Sequence, residues 1–233
     1  MEAFTTLYVA SGQEIHRRKL LEILNLLVQK MVNPATGCGR NQFDLAFHAI
    51  PAIAIRRTWN AERDGNAPAS PTDTTSYGHN VELAWLLRRA LETVGADQTP
   101  YRPVLYGLLD HAAKHGIDWE YGGLYRDGLA QGEAVIKEKE FWQHAEALVG
   151  FLDGYAAFGE VRFLDAFEQV WRFVNTYMIA HASGEWHTLL NREGQILDPR
   201  LGNPWKVSYH TGRALLECVR RLEDLLVSAP PLP

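Results

Sequence analysis

The strongest constraint on this chain is a rhythm of helix, short turn, helix, then a longer loop holding glycine and aromatic residues. It runs about three times. In residues 13–32, Ile15, Leu20, Leu21, Leu24, Leu27, Val28 and Met31 recur at spacings of three and four, as one face of a helix requires. Asn33, Pro34 and Gly37 end that run. Similar spacing predicts helices over 81–94, 101–115, 140–157, 162–181 and 210–226, with Phe158-Gly159-Glu160 as the turn between 140–157 and 162–181. Helix pairs whose loops gather at one end suggest an all-α fold, an α/α toroid around a central pocket, with 1–233 as a single domain.

The stretches between helices are less regular. Residues 38–59 approach a period of two in places, as in Ala52-Ile53-Ala54-Ile55-Arg56, and read as a strand pair or an extended loop. Residues 60–75 are rich in Ala, Pro, Asp, Gly and Thr and read as a loop. Residues 116–139 hold short extended pieces such as Gly122-Gly123-Leu124-Tyr125. A hairpin is expected through Trp186-His187-Thr188 and Asn191-Arg192-Glu193-Gly194, and Pro230-Pro231 ends the fold. Residues 1–8 read as the end of an amphipathic helix, with Phe4, Leu7 and Tyr8 on one face and no capping residue ahead. The expectation is that sequence is missing upstream; a short helix that simply packs is the alternative.

Composition narrows the ligand. The formal net charge is −5, and Lys and Arg are scattered with no run longer than three, which argues against nucleic acid or an anionic membrane and toward a small or neutral molecule. Cys38 and Cys218 stand far apart without a CxxC, so neither a disulfide framework nor a cysteine zinc site is expected. No run approaches the ~20 apolar residues of a spanning helix, and the N-terminus has no basic segment leading into an apolar one. A cytoplasmic protein is expected.

Three segments could carry chemistry. In 76–85, His79, Glu82 and Trp85 are three apart and stack on one helical face. Imidazole is a base near neutral pH, a carboxylate one turn on can fix its tautomer, and Trp85 could wall a sugar ring. In 139–148, Trp142 and Glu146 share a face, offering stacking and a hydroxyl acceptor; His144 lies on another face and reads as structural. In 204–213, Trp205, Lys206, Tyr209, His210 and Arg213 crowd a loop-to-helix junction. Arg213 is a cation at the positive end of a helix dipole, which marks it for function or for a buried ion pair. A helix-capping His with a solvated Glu, and a core Trp with a surface Glu, are the plain alternatives for the first two segments.

The segments SYGHNVELAW, KEFWQHAEALVGF and NPWKVSYHTGRALLE resemble, in order and separation, those of the N-acylglucosamine 2-epimerase and cellobiose 2-epimerase superfamily. The resemblance implies an (α/α)6 barrel that interconverts aldoses differing at C2. It implies His79 and His210 as the acid/base pair on opposite faces of the sugar, working through an enediolate. It makes Glu82, Trp85, Trp142, Glu146 and Trp205 pocket residues, and Arg213 joins them as a substrate-binding candidate. No metal and no cofactor are expected. The His residues lack HExxH-type spacing, and no phosphate-cradling glycine loop is present.

The resemblance also implies a further helical half upstream of the segment Met1-Glu2-Ala3-Phe4, so this chain corresponds to the C-terminal part of such a barrel. Without that half, helices would expose an apolar face. A fragment, a misplaced start, and a half-barrel that pairs with a second copy as a homo-oligomer are the three accounts of this. Three other functions compete with sugar 2-epimerisation: an aldose–ketose isomerase of the same family, an inactive sugar-binding remnant, and a glycoside hydrolase using Glu82 and Glu146 across a pocket.

Overall fold

The computed structural model describes residues 1–50, 52–53, 71–72 and 74–228. Seven helices order them: α1 (Glu2–Ser11), α2 (Glu14–Leu26), α3 (Tyr77–Val94), α4 (Arg102–His111), α5 (Phe141–Phe158), α6 (Val161–Phe173) and α7 (Ser208–Ser228). The helix pattern was therefore legible almost throughout. The helix expected over 162–181 stops earlier, because Ile179–Ala180 leaves it as strand β7 to pair with β8 (Glu185–Trp186). Residues 54–70 and Pro230-Pro231, for which an extended segment, a loop and a chain end were expected, lie outside the described residues. Part of the expected loop is instead strand: β2 (Pro71–Thr72) pairs with β1 (Ala52–Ile53), and Thr74–Ser76 pairs with Asp127–Leu129.

Helix α5 is buried from Phe141 to Gly154 on every face, so its polar members Gln143, His144, Glu146 and Asp153 must find partners within the protein. It packs against α3 on one side, α7 on the other and α6 behind, while α1 and α2 contact α3. Thus α1, α3, α5 and α7 form one row, and α2, α4 and α6 lie behind it. In α6 the buried Phe163, Ala166, Val170 and Phe173 repeat at three and four, giving the stripe that meets α5. Helix α7 turns Thr211, Ala214, Cys218 and Arg221 inward, while Leu216, Val219 and Leu226 are 76%, 55% and 76% exposed. The expected open apolar face is present on this helix. Helix α1 forms as expected, though Leu7 faces solvent while Phe4 and Tyr8 pack.

One motif recurs behind each row pair. Helices α2, α4 and α6 each widen into a π turn, over Leu27–Met31, Ala112–Gly116 and Val174–Met178. A seven-residue step then closes an antiparallel bridge: Val32 with Gly39, Ile117 with Leu124, Ile179 with Trp186. Each step carries a glycine with positive φ at its fifth position, Gly37 (75°), Gly122 (84°) and Gly184 (79°). Only glycine takes that conformation without strain. This internal repeat escaped the sequence, since a single glycine in unlike surroundings is its only signature.

The loops fold into small sheets that deliver the first turns of the central helices. Strand β3 (Thr74–Ser76) runs into α3 and pairs with β4 (Asp127–Leu129), Ser76 opposite Asp127; β4 pairs in turn with β5 (Ala134–Ile136). Strand β6 (Lys139–Glu140) runs into α5 and pairs with β9 (Leu189–Leu190), which pairs with β10 (Ile196–Asp198) across the expected 191–194 turn. Lys139, fully buried, is held 3.2 Å from Asp118, which also binds Arg192.

His144 is structural, as expected. Its Nε2 accepts from Leu124 N–H at 3.0 Å and its Nδ1 lies 2.8 Å from the Glu140 carbonyl, so it ties the turn to α5 as a neutral ring donating through Nδ1. Burial lowers its pKa to about 3, with Lys139 acting the same way. The unfolded chain binds the proton more readily, so this group's contribution fades as pH falls below about 6.5. His144→Phe leaves two buried backbone groups unpaired and should cost roughly 2–5 kcal/mol in urea unfolding at neutral pH. A change under about 0.5 kcal/mol would contradict this role.

Candidate active site

Ser76 caps α3, its hydroxyl accepting from His79 N–H at 3.4 Å. Gly78 then lets the first turn of α3 touch α5: a Cβ there would lie 2.4 Å from Gln143 Cγ. That close approach sets His79 against Trp142, ring centroids 4.6 Å apart. His210, in the first turn of α7, meets the same indole at 5.5 Å. The two imidazoles therefore border one aromatic floor.

A cleft of about 170 Å³ is lined by His79, Glu82, Phe141, Trp142, Trp205 and His210. A second, about 420 Å³, shares His79 and Glu82 and continues past Leu27, Met31, Leu83 and Leu86 to Arg40 and Asn41. Of the expected site residues, His79, Glu82, Trp142, Trp205 and His210 line these clefts.

Three expected residues stand elsewhere. Trp85 is fully buried behind the wall and cannot stack on a ligand. Its Nε1–H donates to Glu146 Oε2 at 3.0 Å, and Arg213 lies over its ring. Glu146 is itself fully buried, so it accepts from protein side chains rather than from a sugar hydroxyl: its Oε1 receives His210 Nδ1 at 2.6 Å and Arg213 Nη2 at 2.5 Å. Arg213 also reaches Glu82 at 3.5 Å and Glu2 at 2.5 Å, and Tyr209 Oη, which donates to Glu2, lies 2.6 Å away. The ion-pair reading of Arg213 is the one the geometry bears out. Spacing could find these residues but not their depth, because helical periodicity does not say how deep a face lies.

The electrostatics follow from this packing. His79 is solvent-exposed at the cleft, and the protein packed around its ring lowers its pKa to about 4; His210 adds to the shift and Glu146 opposes it. Burial, and then the neighbouring Glu146 carboxylate, raise Glu82 to about 8, with Arg213 pulling the other way. Near neutral pH the cleft thus offers an unprotonated imidazole beside a protonated carboxylic acid. Because His210 is bonded through Nδ1, its Nε2 remains for the cleft.

Glu82, Glu146 and His210 present ligand-type atoms within 4.8 Å of one another, but a guanidinium already supplies the positive charge among them. Phe141 and Glu2 are site neighbours without a role in the sequence reading, while Tyr209 stands in the 204–213 junction without one. Phe141 lies within the 139–148 segment, so that segment was the available signal; Glu2 had none.

A row of helices whose N-terminal turns bring two imidazoles to one indole has the arrangement of an α/α toroid. The profile of the family described as N-acylglucosamine 2-epimerase (GlcNAc 2-epimerase) matches residues 1–214, and the chain belongs to that family. It is 27% identical over 231 residues to the cellobiose 2-epimerase of Ruminococcus albus, covering 97% of this chain and 52% of that protein. The N-acylglucosamine 2-epimerase of Bos taurus is 33% identical over 159 residues, covering 66% of this chain and 37% of its own length. The solved cellobiose 2-epimerase of Bacillus thermoamylovorans B4167 superposes with a TM-score of 0.78 at 25% identity, covering 94% of this chain and 51% of that one. The chain spans about half the length of the curated relatives it matches. No helix among the described residues is long and apolar enough to cross a membrane.

Removing the cation from this cluster tests its balance. Arg213→Met leaves the buried Glu146 short of a partner and should lower stability by about 3 kcal/mol or more in urea unfolding. A melt indistinguishable from the parent would show that Glu146 does not depend on Arg213.

Proposed function

We propose that this chain carries the acid/base half-site of a sugar 2-epimerase, in which His79 and His210 exchange the C2 proton of an opened aldose through an enediolate. The observation that carries the proposal is the pair of imidazoles at 4.6 and 5.5 Å from one indole, bordering one cleft. A sugar in the cleft meets the small exposed part of Trp142 and presents its C2 to the histidines.

In one direction His79, unprotonated at neutral pH, takes the proton at C2 and leaves an enediolate. His210, steadied by Glu146, returns a proton to the other face, which inverts C2. Each base contributes about 10²–10⁴-fold. Glu82, held as the neutral acid, donates a hydrogen bond to the developing enediolate oxygen, where a carboxylate would repel it. Substrates of the cellobiose and N-acylglucosamine types are the ones named for the relatives.

Aldose–ketose isomerisation shares the enediolate and differs in returning the proton to C1. The hydrolase reading is disfavoured, because the buried Glu146 is pinned by His210 and Arg213 on the same side as Glu82. An acid and a nucleophile must flank the scissile bond.

The test is incubation with cellobiose, N-acetylglucosamine or mannose in D₂O, with deuterium at C2 read by NMR. His79→Ala and His210→Ala should each slow exchange by about 10²–10⁴-fold. The parent rate should fall toward acid as His79 protonates near 4 and toward base as Glu82 ionises near 8, and Glu82→Gln should lose only the basic limb. Absence of exchange in the parent with all three sugars would refute activity of this chain. Deuterium at C1 of a ketose product would favour the isomerase.

A further inference from the structure

Arg126, Asp127 and Glu140 are almost wholly buried, at 2%, 1% and 5% exposure. Arg126 Nε stands 3.3 Å from Asp127 Oδ2 and 3.4 Å from Glu140 Oε2, and its Nη1 reaches Glu138, at the surface, at 3.9 Å. Beyond this ion contact, neither oxygen of Asp127 has a hydrogen-bond partner among the described residues. One guanidinium thus faces two dehydrated carboxylates and a third at the rim. Two buried carboxylates on a single cation cannot both stay ionised without a large desolvation cost, and a proton held by either removes the excess charge.

The place of this cluster gives it a consequence. Asp127 sits opposite Ser76, the cap of α3, in the β3–β4 ladder. Glu140 ends β6, immediately before Phe141 and Trp142, and its carbonyl accepts from His144. The two acids therefore stand behind the first turns that bear His79 and Trp142.

We propose that Asp127 and Glu140, both held on the guanidinium of Arg126, are a pair of positioning acids, one of them protonated, that set the two-histidine cleft, an inference resting on the epimerase reading of that cleft. With one of the two protonated, Arg126 binds β4 and β6 together. When both ionise, their repulsion drives these strands apart, and with them the starts of α3 and α5. Burial raises both acids, Asp127 to about 7, with Arg126 opposing. The other groups facing the pair are Glu138 beside β6, Tyr77 at the start of α3 and His210 at the start of α7.

The sign of the pH dependence is fixed. Asp127 holds its proton more tightly in the folded chain than in the unfolded one, where its pKa is about 3.9, so the parent loses stability as pH rises from about 4 through about 7. Asp127→Asn, with no proton to lose, escapes this. Its melting temperature should match the parent near pH 4 and exceed it near pH 8. The ring NMR signals of His79, whose own titration lies near 4, should show a second inflection near pH 7 in the parent that disappears in the variant, a coupling that a merely structural role would not produce. Glu140→Gln should abolish the same inflection from the other half of the pair, which guards against an Asp127 variant that fails to fold. Parallel melting curves at all pH values, or imidazole signals unaffected by either substitution, would overturn the proposal. Neither readout needs turnover, so absent C2 exchange in the parent would refute the epimerase reading while the acid pair is still decided.

Discussion

The buried Glu146 carboxylate is the constraint on which the rest of this structure depends. A carboxylate with no access to water costs several kcal/mol unless donors surround it. Here they come from both flanking helices: Trp85 from α3, and His210 and Arg213 from α7. Glu146 therefore fixes how α3, α5 and α7 stand relative to one another, and it turns the His210 ring toward the cleft. Seven residues on, about 10.5 Å along α5, Asp153 repeats the device with Arg88 of α3 and Arg221 of α7, at 3.0 Å each. Trp85 lies between the layers, with Arg213 and Arg221 at 5.0 and 5.7 Å from its ring. Two ionic layers through an apolar row specify the register of three helices more than they add net stability.

The chemistry of the cleft is a by-product of that register. The packing around His79 and Glu82 favours the neutral form of each, and one cation is shared by Glu146, Glu82 and Glu2. A neutral base and a neutral acid side by side can work on a neutral sugar without drawing in counterions. The strands add direction. Strands β3 and β6 enter α3 and α5 at fixed register, so the helix ends arrive at the cleft with little freedom.

Much of this was legible in the sequence, and the limits have physical causes. Apolar residues at three and four gave the helices, since that period follows from 3.6 residues per turn. The segment around His79 and the segment around His210 were visible as dense clusters of aromatic and charged residues at helix starts. Depth was not visible. Trp85 and Glu146 lie on the faces their spacing predicts, but those faces meet other helices rather than the cleft, which only the arrangement of α3, α5 and α7 decides. Arg213 was the informative exception: a cation at the wrong end of a helix dipole marked it for function or for a buried ion pair, and the ion pairs with Glu146 and Glu82 are what the structure holds. The Arg126–Asp127–Glu140 cluster escaped notice because short strands carry no long pattern, and its members are brought together by sheet pairing.

The account stands on the direction in which Glu146 turns His210, and the tautomer of that ring tests it most directly. In a ¹⁵N-labelled sample above the imidazole's titration range, two-bond ¹⁵N–¹H correlations distinguish the protonated ring nitrogen from the bare one. The account predicts a proton on Nδ1, facing Glu146, and a bare Nε2 facing the cleft, with this preference lost in Glu146→Gln. A proton on Nε2 in the parent, with Nδ1 bare against the carboxylate, would contradict it.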